Sequence, residues 1–283
     1  MAITRHTDPD AFLAACAPLL DANPAIRSFA CAVADGWRAD RADFLRGAYV
    51  ATFAAGSHHG LAVRRRGGPV ILENSSAPAA RAFADDMPAS SRTLASVGGE
   101  RAACEAFAER WNARFGTSHR LGVHMRHHVL TAVSAMPRPP GAYRTADEGD
   151  ADWLGARSVA FAQEALLTDT REMILEGVRK RLARGGFRIW EDGARVAFAG
   201  WSTAGADDAR IAPVYTEPAA RRRGYAGALV AALARELLGA GRRTLFLLTD
   251  VANPTSNALY ARIGFRPLSD TYRFDFVQRG ADP

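Results

Sequence analysis

The sequence is expected to fold as a mixed α/β protein in two halves, each built on one mixed sheet, and three observations lead there. First, 283 residues with 48% hydrophobic, 9% aromatic and 23% charged side chains are enough for two ordinary globular domains. Second, Met136-Pro137-Arg138-Pro139-Pro140-Gly141 sets three prolines within four residues near the middle of the chain. Such a segment continues neither a helix nor a central strand, so 136–141 reads as a linker. Third, each flanking stretch opens with an amphipathic helical pattern and goes on to short β-like runs, as a duplicated unit would, although no residue-level repeat is visible.

In the first half, Asp10 to Leu20 reads as a helix, with Thr7 or Asp8 as its cap and Phe12, Ala15, Cys16 and Leu19 on one face. Gly47 to Thr52 and Gly60 to Arg65 read as strands, Gly67-Gly68 as a turn, and Val70 to Glu73 as the returning partner. Arg101 to Phe115 is a second helix and Leu121 to Val133 a β-rich stretch. In the second half, Asp152 to Ala165 and Thr170 to Ala183 are helical. Phe187 to Glu191 and Arg195 to Thr203 form a hairpin about Asp192-Gly193. A strand at Arg210 to Thr216 leads to a helix at Gly224 to Leu238. After it come a strand at Thr244 to Thr249, a short helix at Ser256 to Ile263 and a last strand at Thr271 to Val277.

Composition narrows the chemistry. The chain has 58 alanines, 35 arginines and one lysine, Lys180. Lys180 lies in Arg179-Lys180-Arg181, a solvated helix face, which disfavours both a P-loop and a Schiff-base enzyme. The net charge of +6 is spread over the chain: residues 1–141 carry 16 basic against 12 acidic side chains, and residues 142–283 carry 20 against 18. Neither half holds the excess, so no nucleic-acid partner is expected. Cys16, Cys31 and Cys104 are odd in number and widely spaced, which fits reduced thiols in a cytoplasm. No secretory leader or run of transmembrane length is visible, so a soluble, cytoplasmic protein without a membrane partner is expected.

The informative stretch runs Val214-Tyr215-Thr216-Glu217-Pro218-Ala219-Ala220-Arg221-Arg222-Arg223-Gly224-Tyr225-Ala226-Gly227. An apolar strand ends at Thr216, Pro218 breaks it, and an arginine cluster leads through Gly224 into a helix. A helix N-terminus offers unpaired amides and the positive end of its dipole to phosphate. Gly224 admits close approach, Ala226 and Gly227 keep the first turn open, and arginines add charge-assisted bonds. Alone, the stretch is equally an arginine-rich surface loop.

This Val-Tyr-Thr-x-Pro strand followed by Arg221-x-x-Gly224-x-Ala226 resembles the acetyl-CoA motif of the GNAT superfamily of N-acetyltransferases. A second segment, Asn253 to Phe265, resembles that family's Asn-x-x-Tyr helix through Asn257 and Tyr260. Within that segment Ser256 is a candidate helix cap and Gly264 the residue that ends the helix, with Leu259 and Ile263 toward the core. The resemblance implies that Val214, Tyr215 and Thr216 offer a strand edge to pantetheine and that Arg221, at the motif's Arg/Gln position, precedes the pyrophosphate loop. It implies that Arg222, Arg223, Gly224, Tyr225, Ala226 and Gly227 wrap the pyrophosphate, that Asn253 and Asn257 complete the cofactor site, and that Tyr260 protonates the departing thiolate. A phenol with a pKa of about 10 can donate that proton at neutral pH.

The resemblance covers 142–283 well and 1–135 weakly. The expected organisation is a degenerate GNAT-like domain at 1–135, the linker at 136–141 and a catalytic GNAT domain at 142–283. Val63-Arg64-Arg65-Arg66-Gly67-Gly68 reads as a hairpin tip rather than a second cofactor loop, since no helix follows it. All seven histidines precede residue 129. His124 and His128 would share one strand face and His127 the other, in a half-exposed strand at the junction of the halves rather than a zinc site. For the amine's proton, Glu164 is the leading base and Glu217 the second. The implied reaction is direct transfer of acetyl from acetyl-CoA to a primary amine, small-molecule or peptide, without a metal. A non-catalytic acyl-CoA-binding module is the rival. The acceptor, and the choice between monomer and homodimer, stay open in the sequence.

Overall fold

The computed structural model describes residues 2–20, 24–39, 41–45, 47–165, 169–205 and 207–278. Along the chain these form β1 (Ala2–Arg5), α1 (Pro9–Leu20), α2 (Pro24–Ala39), α3 (Arg41–Leu45), β2 (Tyr49–Ala55), β3 (His58–Arg64), β4 (Val70–Glu73), α4 (Ala77–Asp86), β5 (Ser96–Gly99), α5 (Arg101–Phe115) and β6 (Thr117–Leu130). They continue as β7 (Ala142–Thr145), α6 (Ala151–Glu164), α7 (Arg171–Leu182), β8 (Phe187–Glu191), β9 (Arg195–Thr203), β10 (Asp208–Thr216), α8 (Tyr225–Gly239), β11 (Thr244–Asp250), α9 (Pro254–Ile263) and β12 (Arg266–Gln278). None of these helices is long and apolar enough to cross a membrane.

Two compact units emerge, and they do not divide at the proline-rich segment. One holds Met1–Arg126, Asp250–Ala252 and Ser269–Pro283; the other holds His127–Thr249 and Asn253–Leu268. The chain passes between them inside β6 and again inside β12. Most of β12, read from the sequence as the end of the second half, lies in the first unit, where Tyr272 to Asp275 pair antiparallel with Gly99 to Ser96. The proline-rich segment lies wholly in the second unit and is fastened there. Pro140 O accepts from Trp190 Nε1 at 2.9 Å, the neighbouring Ser134 donates its amide to Ile263 O at 2.9 Å, and Met136 packs on the core.

In the first unit β1, β2, β3 and β4 are antiparallel neighbours, β4 pairs parallel with β5, and β5 pairs with β12. One apolar cluster joins Phe53, Leu72, Val97 and Phe274 to Phe83 of α4 and to Phe107 and Trp111 of α5. Another joins Val50 and Leu61 to Phe12, Cys16 and Leu19 of α1 and Trp37 of α2. Asp8 caps α1, its Oδ1 accepting from the amides of Asp10 and Ala11 at 3.0 Å each, while Ala15 of the expected apolar face is exposed. Arg65 to Gly68 turn the β3–β4 hairpin, with Gly68 N bonded to Arg65 O at 3.0 Å.

In the second unit β7, β8, β9 and β10 are antiparallel neighbours and β10 pairs parallel with β11. Leu229, Leu233 and Leu237 of α8 and Ile263 of α9 pack with Ile211, Leu245 and Leu247. Leu154 of α6 and Val178 of α7 pack with Phe187, Ile189, Phe198 and Tyr215. Helices thus lie on both faces of a mixed sheet. Both units repeat the order strand, strand, strand, helix, strand, helix: β2-β3-β4-α4-β5-α5 and β8-β9-β10-α8-β11-α9. That shared order is the duplication the sequence suggests only in outline.

Candidate active site

The site grows from an irregularity in β10. Its pairing with β9 shifts register between Ile211 and Val214, and this bulge reverses which face each later residue meets. Ile211 belongs to the cluster under α8, whereas Tyr215, an even number of residues on, belongs to the cluster under α6 and α7. Beyond the bulge, Val214, Tyr215 and Thr216 still pair with Ala199, Phe198 and Ala197 of β9. On the opposite side β10 pairs with β11 only at Asp208, Ala209 and Arg210. The far half of β10 therefore has an edge not paired with β11. An unpaired strand edge is a template for an extended partner with amide groups.

Past Thr216 the chain makes a single 3-10 turn at Pro218–Ala220 and enters the arginine loop. Arg222 has φ of 64° and Gly224 φ of 89°, both left-handed, with an ordinary residue between them. Alternation of hand turns successive amides toward one side, which makes a concave anion cradle. Gly224 caps α8 without a side-chain hydrogen bond, so no capping side chain takes the amides of Tyr225, Ala226 and Gly227. A Cβ on Gly224 would meet nothing within 4 Å, so glycine is required there for its backbone conformation. At Gly227 the requirement is space: a Cβ would stand 3.0 Å from both Leu259 Cδ1 and Met136 Cε. Absence of a side chain at Gly227 brings the first turn of α8 against α9.

The three arginines divide their work. Arg221 Nη2 donates to Glu164 Oε1 and Oε2 at 2.7 and 2.9 Å, its Nε donates to Thr216 O at 3.1 Å, and its guanidinium lies over the Tyr215 ring. Arg223 reaches Asp192 Oδ2 at 3.4 Å and covers the ring of Tyr225. Among the described residues Arg222 makes no side-chain hydrogen bond or ion pair, so it is the cation left for a ligand. Tyr225 is buried and donates its hydroxyl to Asp192; what it offers the cradle is its amide.

On α9, Asn253 Oδ1 accepts from Ser256 N at 3.0 Å, so Asn253 is the helix cap and Ser256 is not. Asn253 Oδ1 thereby serves the helix, and Nδ2 is the donor of that side chain. Gly264 ends the helix in a left-handed conformation, and Phe265 N returns to Tyr260 O at 3.0 Å. Tyr260 is buried, edge-on to Phe265, and burial pushes its phenol up to about 12. It is therefore fully protonated at neutral pH, and among the described residues its hydroxyl has no hydrogen-bond partner. Asn257 Oδ1 accepts from Thr249 Oγ1 at 2.6 Å, and Thr249 Oγ1 is 2.9 Å from His128 Nε2.

His128 is a polar group of the second unit although the sequence places it before the proline-rich segment. β6 carries His127 and His128 into the second unit. The alternation along β6 was legible: His128 is buried against Thr249, and His127, on the other face, is held down at about 4 by burial and by the charge of Arg210. His124 stays in the first unit, stacked on Tyr272 and 2.8 Å from Asp270 Oδ2. Among the described residues no three His, Cys, Asp or Glu side chains are grouped to hold a metal ion.

Both candidate bases stand near the end of β10 and both are paired. Glu164 is exposed with its two oxygens on Arg221. Glu217 Oε1 accepts from Trp153 Nε1 at 3.0 Å and from Arg157 Nε.

A family model described as FR47-like protein matches residues 189–274, from β8 into β12. No protein of curated function matches the sequence significantly. Among solved structures, a Drosophila protein is similar with a TM-score of 0.61 at 16% identity, over 81% of this chain and 79% of its own. A GCN5-related N-acetyltransferase from Sphaerobacter thermophilus gives 0.55 at 19% identity, over 90% and 87%. A GNAT-family acetyltransferase from Colwellia psychrerythraea gives 0.55 at 11%, over 98% and 99%. At such identities the likeness is one of fold, and with the element order above it places the chain in the fold of the GNAT superfamily.

Proposed function

We propose that the protein is a coenzyme A-dependent acyltransferase that moves an acetyl group from acetyl-CoA to a primary amine in a ternary complex. The observation that carries this reading is one strand-loop-helix unit with two open features. The far half of β10 presents an edge free of β11, and eight residues beyond Thr216, at Gly224, the uncapped N-terminus of α8 presents amides with Arg222 beside them. An edge suits the amide-bearing pantetheine arm, and a cradle of amides suits pyrophosphate. Both are shapes a coenzyme A molecule has.

In this reading the backbone near Val214 polarises the thioester carbonyl. The amine nitrogen attacks the carbonyl carbon and forms the C–N bond, the C–S bond breaks, and the sulfur takes the proton of Tyr260. The amine's surplus proton leaves through Glu164, Glu217 or water, and Tyr260 is reprotonated from solvent. Burial holds the phenol up at about 12, so Tyr260 carries its proton when the thioester is attacked. Because Glu164 is held by Arg221, a role as base requires that pair to open first. The α6–α7 helices and the β8–β9 hairpin then bound the acceptor side, which fits a small-molecule or peptide amine.

The direct experiment is free-thiol release from acetyl-CoA over a panel of amines, with the acylated product identified by mass. Amine-dependent thiol release supports the reading. Tight acetyl-CoA binding without release over the whole panel would instead favour a binding module.

A further inference from the structure

One arginine of the second unit carries a charge that no carboxylate balances among the described residues. Arg181, in the last turn of α7, is half-buried on the face of the sheet that α6 and α7 cover. Its Nη1 donates to Ala212 O at 2.8 Å, and its guanidinium stands 5.5 Å from the centre of the Phe187 ring. Gly200 makes room for it, since a Cβ there would stand 2.9 Å from Nη1 and 2.7 Å from Ala212 O. Among the described residues its Nε and Nη2 have no hydrogen-bond partner. Burial, and after it the like charge of Arg210 on β10, pull its pKa below the usual arginine value. A guanidinium still keeps its proton, so the cost of a partly desolvated cation is not relieved by losing the charge.

The charge sits where β10 parts from β11. Arg210 is the last β10 residue paired with β11, Ala212 lies two residues on, and Val214, the start of the open edge, lies four on. Ile211 faces α8, so Arg210 beside it faces the α7 side. His127 of β6 feels the charge of Arg210 and, held down at about 4 by burial and then by that charge, is neutral at neutral pH. We propose that the amine acceptor carries a carboxylate and that Arg181 binds it through its Nε–H and Nη2–H edge. The proposal rests on the acyltransferase reading above and adds to it a class of acceptor, an amino acid or a peptide with a free carboxylate near its amine. Two parallel N–H groups match the two oxygens of a carboxylate, and one guanidinium balances one negative charge, which suits a carboxylate better than a phosphate dianion. The bond to Ala212 O uses the other end of the fork and orients the guanidinium before the acceptor arrives. Arg181 thus selects and places the acceptor and moves no proton.

The test follows free-thiol release from acetyl-CoA with amino acids paired with their own carboxamides, and with phosphoethanolamine. The wild type, Arg181→Met and Arg181→Lys are compared, with acetyl-CoA affinity and melting temperature recorded for each. In the wild type the carboxylate member of the best pair should exceed its carboxamide in kcat/KM by about 10-fold or more. Arg181→Met keeps an unbranched stem and should erase that preference, raising the KM of the carboxylate far more than that of the carboxamide. Arg181→Lys keeps the charge without the two-donor edge and should fall between. A wild type that uses carboxamides as well as carboxylates, or prefers phosphoethanolamine to every carboxylate, would overturn the proposal. So would an equal loss with both members of a pair in Arg181→Met, the mark of an arginine that only braces the bulge through Ala212. If Arg181→Met does not fold, Arg181→Lys decides: a loss greater for the carboxylate supports the proposal, and an equal loss or none overturns it. Acetyl-CoA binding with no thiol release from any amine would overturn the acyltransferase reading itself, a result distinct from any ranking within the pairs.

Discussion

The helices α4 and α8 occupy the same place in two copies of one β-α-β-α order, and their N-termini are finished in opposite ways. At α4, Ser76 Oγ accepts from Ala79 N at 3.4 Å and Pro78 removes a donor from the first turn. At α8, Gly224 leaves the first amides uncapped and the arginine loop precedes them. The strands differ likewise. β4 pairs with β5 at three of its four residues, and a Cβ on Gly99 would come within 2.2 Å of Leu72 O. β10 pairs with β11 at three of nine. The fourth and seventh residues of the following helix are Cys104 and Phe107 in α5 but Asn257 and Tyr260 in α9. Both Cys104 and Phe107 are fully buried, and the Cys104 thiol is pushed up to about 12 by burial. One copy spends these positions on packing and self-capping; the other sets polar side chains on the second helix and leaves the first helix end uncapped.

The largest effect expected from this contrast is at Tyr260. Tyr260→Phe, which gives α9 the side chain α5 has, should lower turnover by about 100-fold or more while acetyl-CoA still binds. Steady-state kinetics with a binding isotherm separates the two. Since burial holds the phenol near 12, wild-type turnover should show no loss attributable to Tyr260 ionisation around pH 10; a fall there removed by Tyr260→Phe would contradict the assignment.

Next comes the cradle. Gly224→Ala forces a side chain into a left-handed backbone at a strain of about 1–2 kcal/mol, so both melting temperature and acetyl-CoA affinity should drop. Arg222→Ala should weaken acetyl-CoA binding by about 10-fold, with the difference from wild type shrinking as salt is added. Glu164→Gln discriminates between two roles. If Glu164 chiefly holds Arg221 in an exposed pair, kcat should change by no more than about 3-fold. A fall of about 100-fold would make it the base. The smallest effect, confined to the other copy, is at Ser76: Ser76→Ala should cost about 1 kcal/mol of stability in thermal melts and leave acetyl-CoA affinity unchanged.

Local chemistry explains what the sequence made legible. Arg101 to Phe115 and Arg195 to Thr203 match α5 and β9 because their periodicity is self-contained. Gly264 is read correctly as the residue that ends its helix because that role is dictated by its immediate neighbours. Non-local pairing was not legible. Nothing in Thr271 to Val277 says that its partner is β5, and nothing in His127-His128 says that β6 delivers them to the second unit, because a strand pattern specifies a face and leaves the neighbour unspecified. Side-chain competition also escaped: Asn253 outranks Ser256 as cap only because its oxygen reaches the amide three residues on. Arg222 and Arg223 are equivalent in the sequence, and only Asp192 beside Arg223 separates them.

The claim that one copy is open and the other closed is tested most directly by the stoichiometry of acetyl-CoA binding, measured by calorimetry on the whole chain. One molecule per chain, lost or strongly weakened by Arg222→Ala and Gly224→Ala together and untouched by Ser76→Ala, is the predicted result. Two molecules per chain, or one that survives the double substitution in α8's loop, would contradict it.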